Sequence, residues 1–547
     1  MSSSSDGKAG VLPALRRMFS GHSDRSSTVS ARSERYFTAL ILCSGIAVFG
    51  INLWRNRFFL HDDAFISLKY ARNLVESGEL SWNLGDRVEG YTNFLYVLMT
   101  AAFIDLGFDP VMALRVINGI AIALMVAAVV YGARAVFPDR KDLHALAVTL
   151  VLANVSVAVW IYGGLEAPVA AAFIAWGMGY MVAGMAANTE ARQMKLLILA
   201  GISLALAVLT RPDGVIVVAV AAIAYLFTSS GSWQRRLGRA AIIAGIPFVI
   251  FMVHMAWRIS YYGDVVPNTF HAKVGLELGH RLGKVVDYFV KSSLLYLPLI
   301  SCASVAVAAA LFWGRITRIG GTLLAVCMGF ALYVAWSGGD HMAAARVLLP
   351  IAGPATLLAV VTLAGLPKAQ GRVVIVIMLG MLFIATFKAR SFRMDWAAFN
   401  GTVVGQYIEE AWPADSLVAL NTAGSTPYFG ASHRYIDMLG LNDRTIALRE
   451  DVPVLARRQA MPGHGKGDGA YVLSRQPDYI VLGGAEGIDA ADADKWFLTG
   501  VELSQTEQFS ECYQKNSVVL KVPETLKRFR PNQETLRFTY YENLCGE

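Results

Sequence analysis

His61-Asp62-Asp63-Ala64-Phe65-Ile66-Ser67-Leu68-Lys69-Tyr70-Ala71-Arg72 comes just after the first long apolar run, and the charge continues through Asn83-Leu84-Gly85-Asp86-Arg87-Val88-Glu89-Gly90-Tyr91-Thr92-Asn93. Asp62 and Asp63 are adjacent acids at the foot of an apolar helix. Their like charges repel, and near a bilayer they lose part of their hydration, so one should be raised in pKa unless a cation or a substrate group lies close. Such a pair suits general-base chemistry or the holding of a cation. A lone Asp-Asp is more often a solvated loop, so the rest of the chain has to decide.

Of 547 residues, 55% are hydrophobic and only 16% are charged, whereas soluble domains carry about a quarter charged residues. The composition is that of an integral membrane protein. Basic residues gather between apolar runs, so the net charge of +7 reflects membrane topology rather than nucleic acid, and no nucleic-acid motif is present. Residues 1–35, rich in Ser and Arg, read as a disordered cytoplasmic tail. The run from Tyr36 lacks a small-residue cleavage site and reads as a retained signal-anchor.

Eleven runs approach the roughly 20 apolar residues that cross a bilayer: about 36–54, 111–133, 144–162, 167–187, 195–209, 214–229, 240–260, 292–312, 320–336, 347–366 and 373–388. The run 93–106 is short and reads as an interfacial or half-buried helix within an external loop 55–110. With the N-terminus in the cytoplasm, the loops bearing Arg134/Arg140/Lys141, Arg192/Lys195, Arg235/Arg236/Arg239, Arg315/Arg318 and Lys368/Arg372 all fall inside. The expected molecule is a multi-pass inner (plasma) membrane protein with its C-terminus outside.

The same topology gathers the remaining connections on the outer side. They are 61–93, 163–166, 210–214, 261–291 and 337–346. Ionisable groups at membrane boundaries are costly, so their convergence marks a site. Tyr162-Gly-Gly-Leu-Glu166 reads as a helix cap and break, and Arg211 and Asp213 as a salt bridge at a tight hairpin. The 261–273 segment presents Asn268, His271 and Lys273 as donors, with Arg281, Lys284 and Lys291 after it. Cations on the outer side need an anion such as a phosphate. Asp340, His341 and Arg346 stand at the mouth of another helix, where Arg346 opposes the helix dipole and needs an acid or anion to hold it. One His and one Asp are too few for a zinc site.

After about residue 388 the composition becomes that of a soluble domain, with short strands expected at 416–420, 479–482 and 517–522. Residues 36–388 are then a transmembrane catalytic domain, and 389–547 an extracytoplasmic α/β domain. Cys43, Cys302 and Cys327 lie in apolar runs, whereas Cys512 and Cys545 lie in the outer domain and could form a disulfide. A carboxylate base, phosphate-binding cations and an apolar groove imply group transfer from a lipid phosphate to a hydroxyl at the outer surface. A transporter would instead place its polar groups at mid-membrane in broken helices.

At these residues the chain resembles the polyprenyl-phosphate-sugar-dependent membrane glycosyltransferases of the GT-C fold, whose signature is an acidic pair in the first external loop. Within them it is most similar to the mycobacterial terminal arabinofuranosyltransferase and its bacterial relatives. The resemblance rests on Asp62-Asp63 with Ala71-Arg72, Asn83 to Glu89, Gly164-Leu165-Glu166 and Arg211-Pro-Asp-Gly214. It continues through Gly338-Gly-Asp340 to Pro350, Asp437-Met-Leu-Gly-Leu-Asn-Asp443 and Gly463-His-Gly-Lys466. It implies a polytopic α-helical fold and an inverting transfer of a sugar, in the nearest case D-arabinofuranose, to a hydroxyl of an envelope glycan. Lipid or protein acceptors such as pilins are the alternative. Asp62 would be the base, Asp63 would orient that base or the sugar, and Lys273, Arg346 and Arg211 would steady the lipid phosphate. Glu89, Tyr91, Asn93, Glu166, Asn268, Asp340 and His341 are the candidates for sugar and acceptor. No metal ligands are assigned, and a divalent metal requirement is left open.

Overall fold

The computed structural model describes residues 31–273, 278–313, 316–461 and 463–545. Most of the expected tail, and Arg315, lie outside them. Among the described residues, nine helices are long and apolar enough to cross a membrane, beginning with Arg32–Asn56 and ending with Lys368–Lys388. The chain is a multi-pass membrane protein.

Two of the eleven expected spans differ from a simple crossing. The run 144–162 is two helices, Lys141–Leu152 and Val155–Gly163, bent by 48°. The bend lies where the Asn154 side chain accepts from the Ser156 N–H at 2.9 Å and starts a new helix. Gly214–Thr228 has 15 residues, about 22 Å at the helical rise, against a hydrocarbon core of about 30 Å. The run at 93–106 is the 12-residue helix Phe94–Asp105, too short to cross.

The C-terminal part carries a five-stranded sheet: β1 (Leu417–Leu420), β2 (Arg434–Asp437), β3 (Tyr479–Val481), β4 (Tyr513–Lys521) and β5 (Thr535–Asn543). Its order is β2-β1-β3-β5-β4, parallel across the first three strands and antiparallel thereafter. β2 and β5 were not among the expected strands. Side chains alternate faces along a strand. Ala419, Ile436, Ile480 and Leu482 form the C-terminal domain's own core. Val418, Leu420, Tyr435 and Val481, on the opposite face, join the core that continues into the membrane helices. Cys512 and Cys545 form a disulfide.

Thus the stretch 61–93 is clamped between the spans and this domain. Lys69 donates to the Pro427 carbonyl at 3.0 Å, Arg72 to the Tyr428 carbonyl at 2.9 Å and the Trp82 indole to the Ala423 carbonyl at 3.2 Å. Asn83 exchanges two hydrogen bonds with the Tyr435 backbone.

Candidate active site

The connections grouped on one side by the positive-inside rule do meet in space. The His61 N–H donates to the Gly163 carbonyl at 3.2 Å, Asn93 to Glu166 at 3.3 Å, and the Trp160 indole to the Ala343 carbonyl at 3.0 Å. The Asn268 N–H donates to the Glu89 carbonyl at 2.9 Å.

The acid pair is divided by its surroundings. The helix Asp63–Ser77 starts immediately after Asp62, so the two carboxylates leave the backbone in different directions. Asp62 is 8% exposed. Its Oδ1 accepts from the Ser425 N–H at 2.9 Å and the Ser425 hydroxyl at 2.7 Å, and its own N–H donates to Asp395 Oδ2 at 2.9 Å. Burial, the charge of Asp395 and, more weakly, that of Asp63 push the Asp62 carboxyl up to about 7 against those two hydrogen bonds. Asp63, by contrast, has a side chain 44% exposed. The surrounding protein alone would raise its pKa, but His61, Lys273, Arg346 and His341 outweigh that and hold it below the usual carboxylate range.

Lys273 and Arg346 therefore act on the open carboxylate from beyond ion-pair distance. Lys273 ends the short helix Asn268–Lys273 and is exposed. Arg346 donates to Asp340 Oδ2 at 3.2 Å and lies 5.6 Å from the Trp160 ring centre. Asp340 is the acid that an arginine at this helix mouth needs. Burial opposes its ionisation, but Arg346, His341 and the Met342 N–H bring it down to about 2. Just before Arg346, Ala344 and Ala345 both have φ of +51°, a left-handed conformation costly for residues with a Cβ. His341 is 42% exposed, and its ring lies 6.3 Å from that of His464. The C-terminal-domain segment around Gly463 and His464, part of the Gly463-His-Gly-Lys466 motif, thus borders the same opening.

Most other expected site residues are buried and engaged with one another. Glu89 is 3% exposed and pairs with Arg258 at 2.7 Å. The Tyr91 and Tyr262 hydroxyls share a hydrogen bond at 3.1 Å. Asn93 is 5% exposed, between Ser67 and Glu166. Asn268 donates to the carbonyls of Gly440, Leu441 and Asp443. Arg211 pairs with Glu166 at 2.7 Å and with Asp213 at 2.6 Å, so its guanidinium is held by acids rather than turned to the opening. These groups build the wall behind the site in this conformation. Among the described residues, no group of three or more His, Cys, Asp or Glu is arranged to hold a metal ion.

Two parts of the chain have separate likenesses to known families. Residues 80–272 match the family "Dolichyl-phosphate-mannose-protein mannosyltransferase", and residues 391–535 match a domain of unknown function, DUF8728. Among solved structures, ArnT from Cupriavidus metallidurans bound to undecaprenyl phosphate superposes with a TM-score of 0.55 at 13% identity. That match covers 93% of this chain and 98% of ArnT. The fold is that of the GT-C glycosyltransferases. The archaeal oligosaccharyltransferase AglB from Archaeoglobus fulgidus, in complex with an inhibitory peptide and a dolichol-phosphate, shares this GT-C architecture. Its TM-score is 0.52 at 11% identity, over 82% of this chain and 69% of AglB. No curated protein sequence matches the chain.

Proposed function

We propose that this protein transfers a sugar from a polyprenyl-phosphate donor to a hydroxyl acceptor at the membrane surface. One observation carries the reading: an accessible carboxylate, Asp63, stands where the membrane helices end, within the electrostatic reach of the cations Lys273 and Arg346. Relatives in fold solved with undecaprenyl phosphate or dolichol-phosphate support the donor class. A transporter fits less well, because the polar groups cluster at helix ends rather than at mid-span.

Lys273 and Arg346 hold the donor phosphate. Asp63 takes the proton from the acceptor hydroxyl, whose oxygen attacks the anomeric carbon from the side opposite the phosphate. The carbon–oxygen bond to the phosphate breaks, polyprenyl phosphate leaves with the bonding pair, and the configuration inverts. This assignment reverses the order expected within the pair. Asp62 is buried with one oxygen covered by Ser425, so in this reading it holds the loop that carries Asp63. His341 and His464 border the acceptor side.

The order of motifs favours D-arabinofuranose as the sugar and an envelope glycan as the acceptor. The mannosyltransferase family match over 80–272 favours a protein acceptor instead. The Cys512–Cys545 disulfide supports an outer domain on the oxidising side of the inner membrane, with the N-terminus in the cytoplasm. The deciding experiment gives the purified full chain a polyprenyl-phosphate sugar together with glycan or peptide acceptors and measures polyprenyl phosphate. Release that depends on one acceptor class establishes the reaction and names the class. Movement of intact lipid-linked sugar across vesicles, with no release, would overturn it.

A further inference from the structure

Next to the candidate active site, on the far side of Asp395, the ends of two spans meet the start of the C-terminal domain. Arg55 donates to the Thr386 carbonyl and, at 2.7 Å, to the Ala389 carbonyl, so the exits of Arg32–Asn56 and Lys368–Lys388 are joined at one level. Around that joint the surface alternates cations with aromatic rings. The Arg57 guanidinium lies 3.7 Å over Trp54 and 4.3 Å over Phe58. Phe58 packs edge-on against Phe529 at 5.9 Å, and Arg528 lies 4.8 Å over the same Phe529. Arg393 donates to the Phe529 carbonyl at 3.4 Å, and Arg530 lies 3.3 Å over Trp396. Arg528 also faces the like charge of Arg115, near the start of the Pro110–Val136 span.

These cations have not been used up by acids. Among the described residues, none of Arg57, Arg115, Arg393, Arg528, Arg530 and the exposed Arg390, which directly follows Ala389, makes an ion pair. Asp109 acts on Arg115 and Asp395 on Arg530 only from beyond ion-pair distance. The Nε groups of Arg115 and Arg530 are buried with no hydrogen-bond partner. Arg57 donates one N–H to the Trp54 carbonyl and Arg530 one to the Met394 carbonyl at 3.0 Å, which leaves further N–H groups on each stacked guanidinium for a phosphate. Trp54 and Trp396 are 67% and 58% exposed, as rings at headgroup level are. Basic residues are disfavoured on the outer side of a membrane protein, so a cluster on the side of the acid pair has to be offset by an anion.

We propose that this collar binds the phosphates of anionic phospholipids in the surrounding leaflet and seats the outer domain on the membrane. It is distinct from the site of Lys273 and Arg346, and it does not depend on the reaction proposed there. Phospholipid fits better than a soluble anion because the cations ring the exits of spans and alternate with rings suited to the acyl–headgroup boundary.

The test places the full chain in nanodiscs of phosphatidylcholine alone or mixed with phosphatidylglycerol. Lipids that survive extraction are counted by native mass spectrometry, and Tm is recorded. Phosphatidylglycerol should be retained in preference and raise Tm, with the preference falling about fivefold for each cation removed. Arg390→Gln/Arg393→Gln/Arg528→Gln should therefore lose it, while the matching triple Lys variant keeps it. Equal retention of the two lipids by the wild-type chain would overturn the proposal, whether or not the Gln variant folds. So would a rise in Tm with soluble inorganic phosphate that equals the rise with phosphatidylglycerol, which would assign the collar to a soluble anion.

Discussion

Ser425 donates both its backbone N–H and its hydroxyl to a single oxygen of Asp62, at 2.9 and 2.7 Å. One residue of the C-terminal domain thereby closes off half of the acid pair at the foot of the membrane helices. The contact is tight enough that the neighbouring residue can only be glycine. A Cβ on Gly424 would lie 2.4 Å from both the carbonyl oxygen and the Oδ2 of Asp62. Gly424→Ala should therefore cost about 1–3 kcal/mol of stability and lower turnover, although it removes no reacting group. Unchanged melting and turnover would show that the two domains need not meet here.

Substitution within the pair should separate the two roles. Asp63→Asn removes the exposed base and should reduce turnover by roughly 10² to 10⁴ while leaving Tm and donor affinity nearly intact. Asp62→Asn can still accept from Ser425 and should have the milder effect. Turnover measured on folded proteins with matched donor affinity checks the order, and a larger loss in Asp62→Asn would return the base to that position.

The raised pKa of Asp62 has a definite sign in stability. The folded state favours the protonated carboxyl, so the stabilising contribution is complete below about 4 and is lost as pH rises toward about 7. Asp62→Asn mimics the neutral form. Its Tm relative to the wild-type chain should therefore climb across that interval and level off above it. A difference that stays flat from acid to neutral pH would mean that Asp62 is ionised throughout.

Lys273 and Arg346 should act on the donor, and Arg211 on the fold. Loss of a charged hydrogen-bond partner costs about 1.5–3 kcal/mol, so Lys273→Ala and Arg346→Ala should each weaken donor binding by roughly ten- to a hundredfold. Arg211→Ala should instead leave Glu166 and Asp213 buried without their cation, and it should appear as lost expression or a lower Tm. Isothermal titration with a polyprenyl phosphate, beside thermal melting, distinguishes the two outcomes.

Glu89 offers a direct contrast between binding and support. Burial raises its carboxyl to about 7 in spite of Arg258 beside it. Glu89→Ala would strand the Arg258 cation in the interior, a loss of about 3–5 kcal/mol, with KM on the surviving folded enzyme unchanged. Replacing both partners with apolar residues should recover most of the stability. A raised KM at normal Tm would instead put Glu89 in contact with the sugar.

The features carried by local composition were open to sequence reasoning. The apolar runs, the short helix at 94–105, the convergence of the polar connections and the membrane-then-soluble order each follow from residues close together in the chain. The division of labour inside the pair does not. Ser425 is 363 residues from Asp62, and a serine in an ordinary domain carries no sign of what it will cover. Glu89 looked like a binding acid because its partner, Arg258, lies 169 residues away inside an apolar run. β2 was hidden by its brevity, four residues with one exposed arginine. The bend at Asn154 had a local cause, a capping side chain, but the apolar run around it outweighed that signal.

The long separation between Asp62 and Ser425 also orders events during synthesis. At roughly 5–20 residues per second, the acid pair waits on the order of tens of seconds before its cover is translated, with the C-terminal domain still to fold. During that time the membrane helices can insert, yet the pair stands uncovered and Asp63 lacks the loop that fixes it. A ribosome that stops within the last third of the message leaves an inserted protein whose chemistry has not been assembled, so truncated products should be inert rather than partly active.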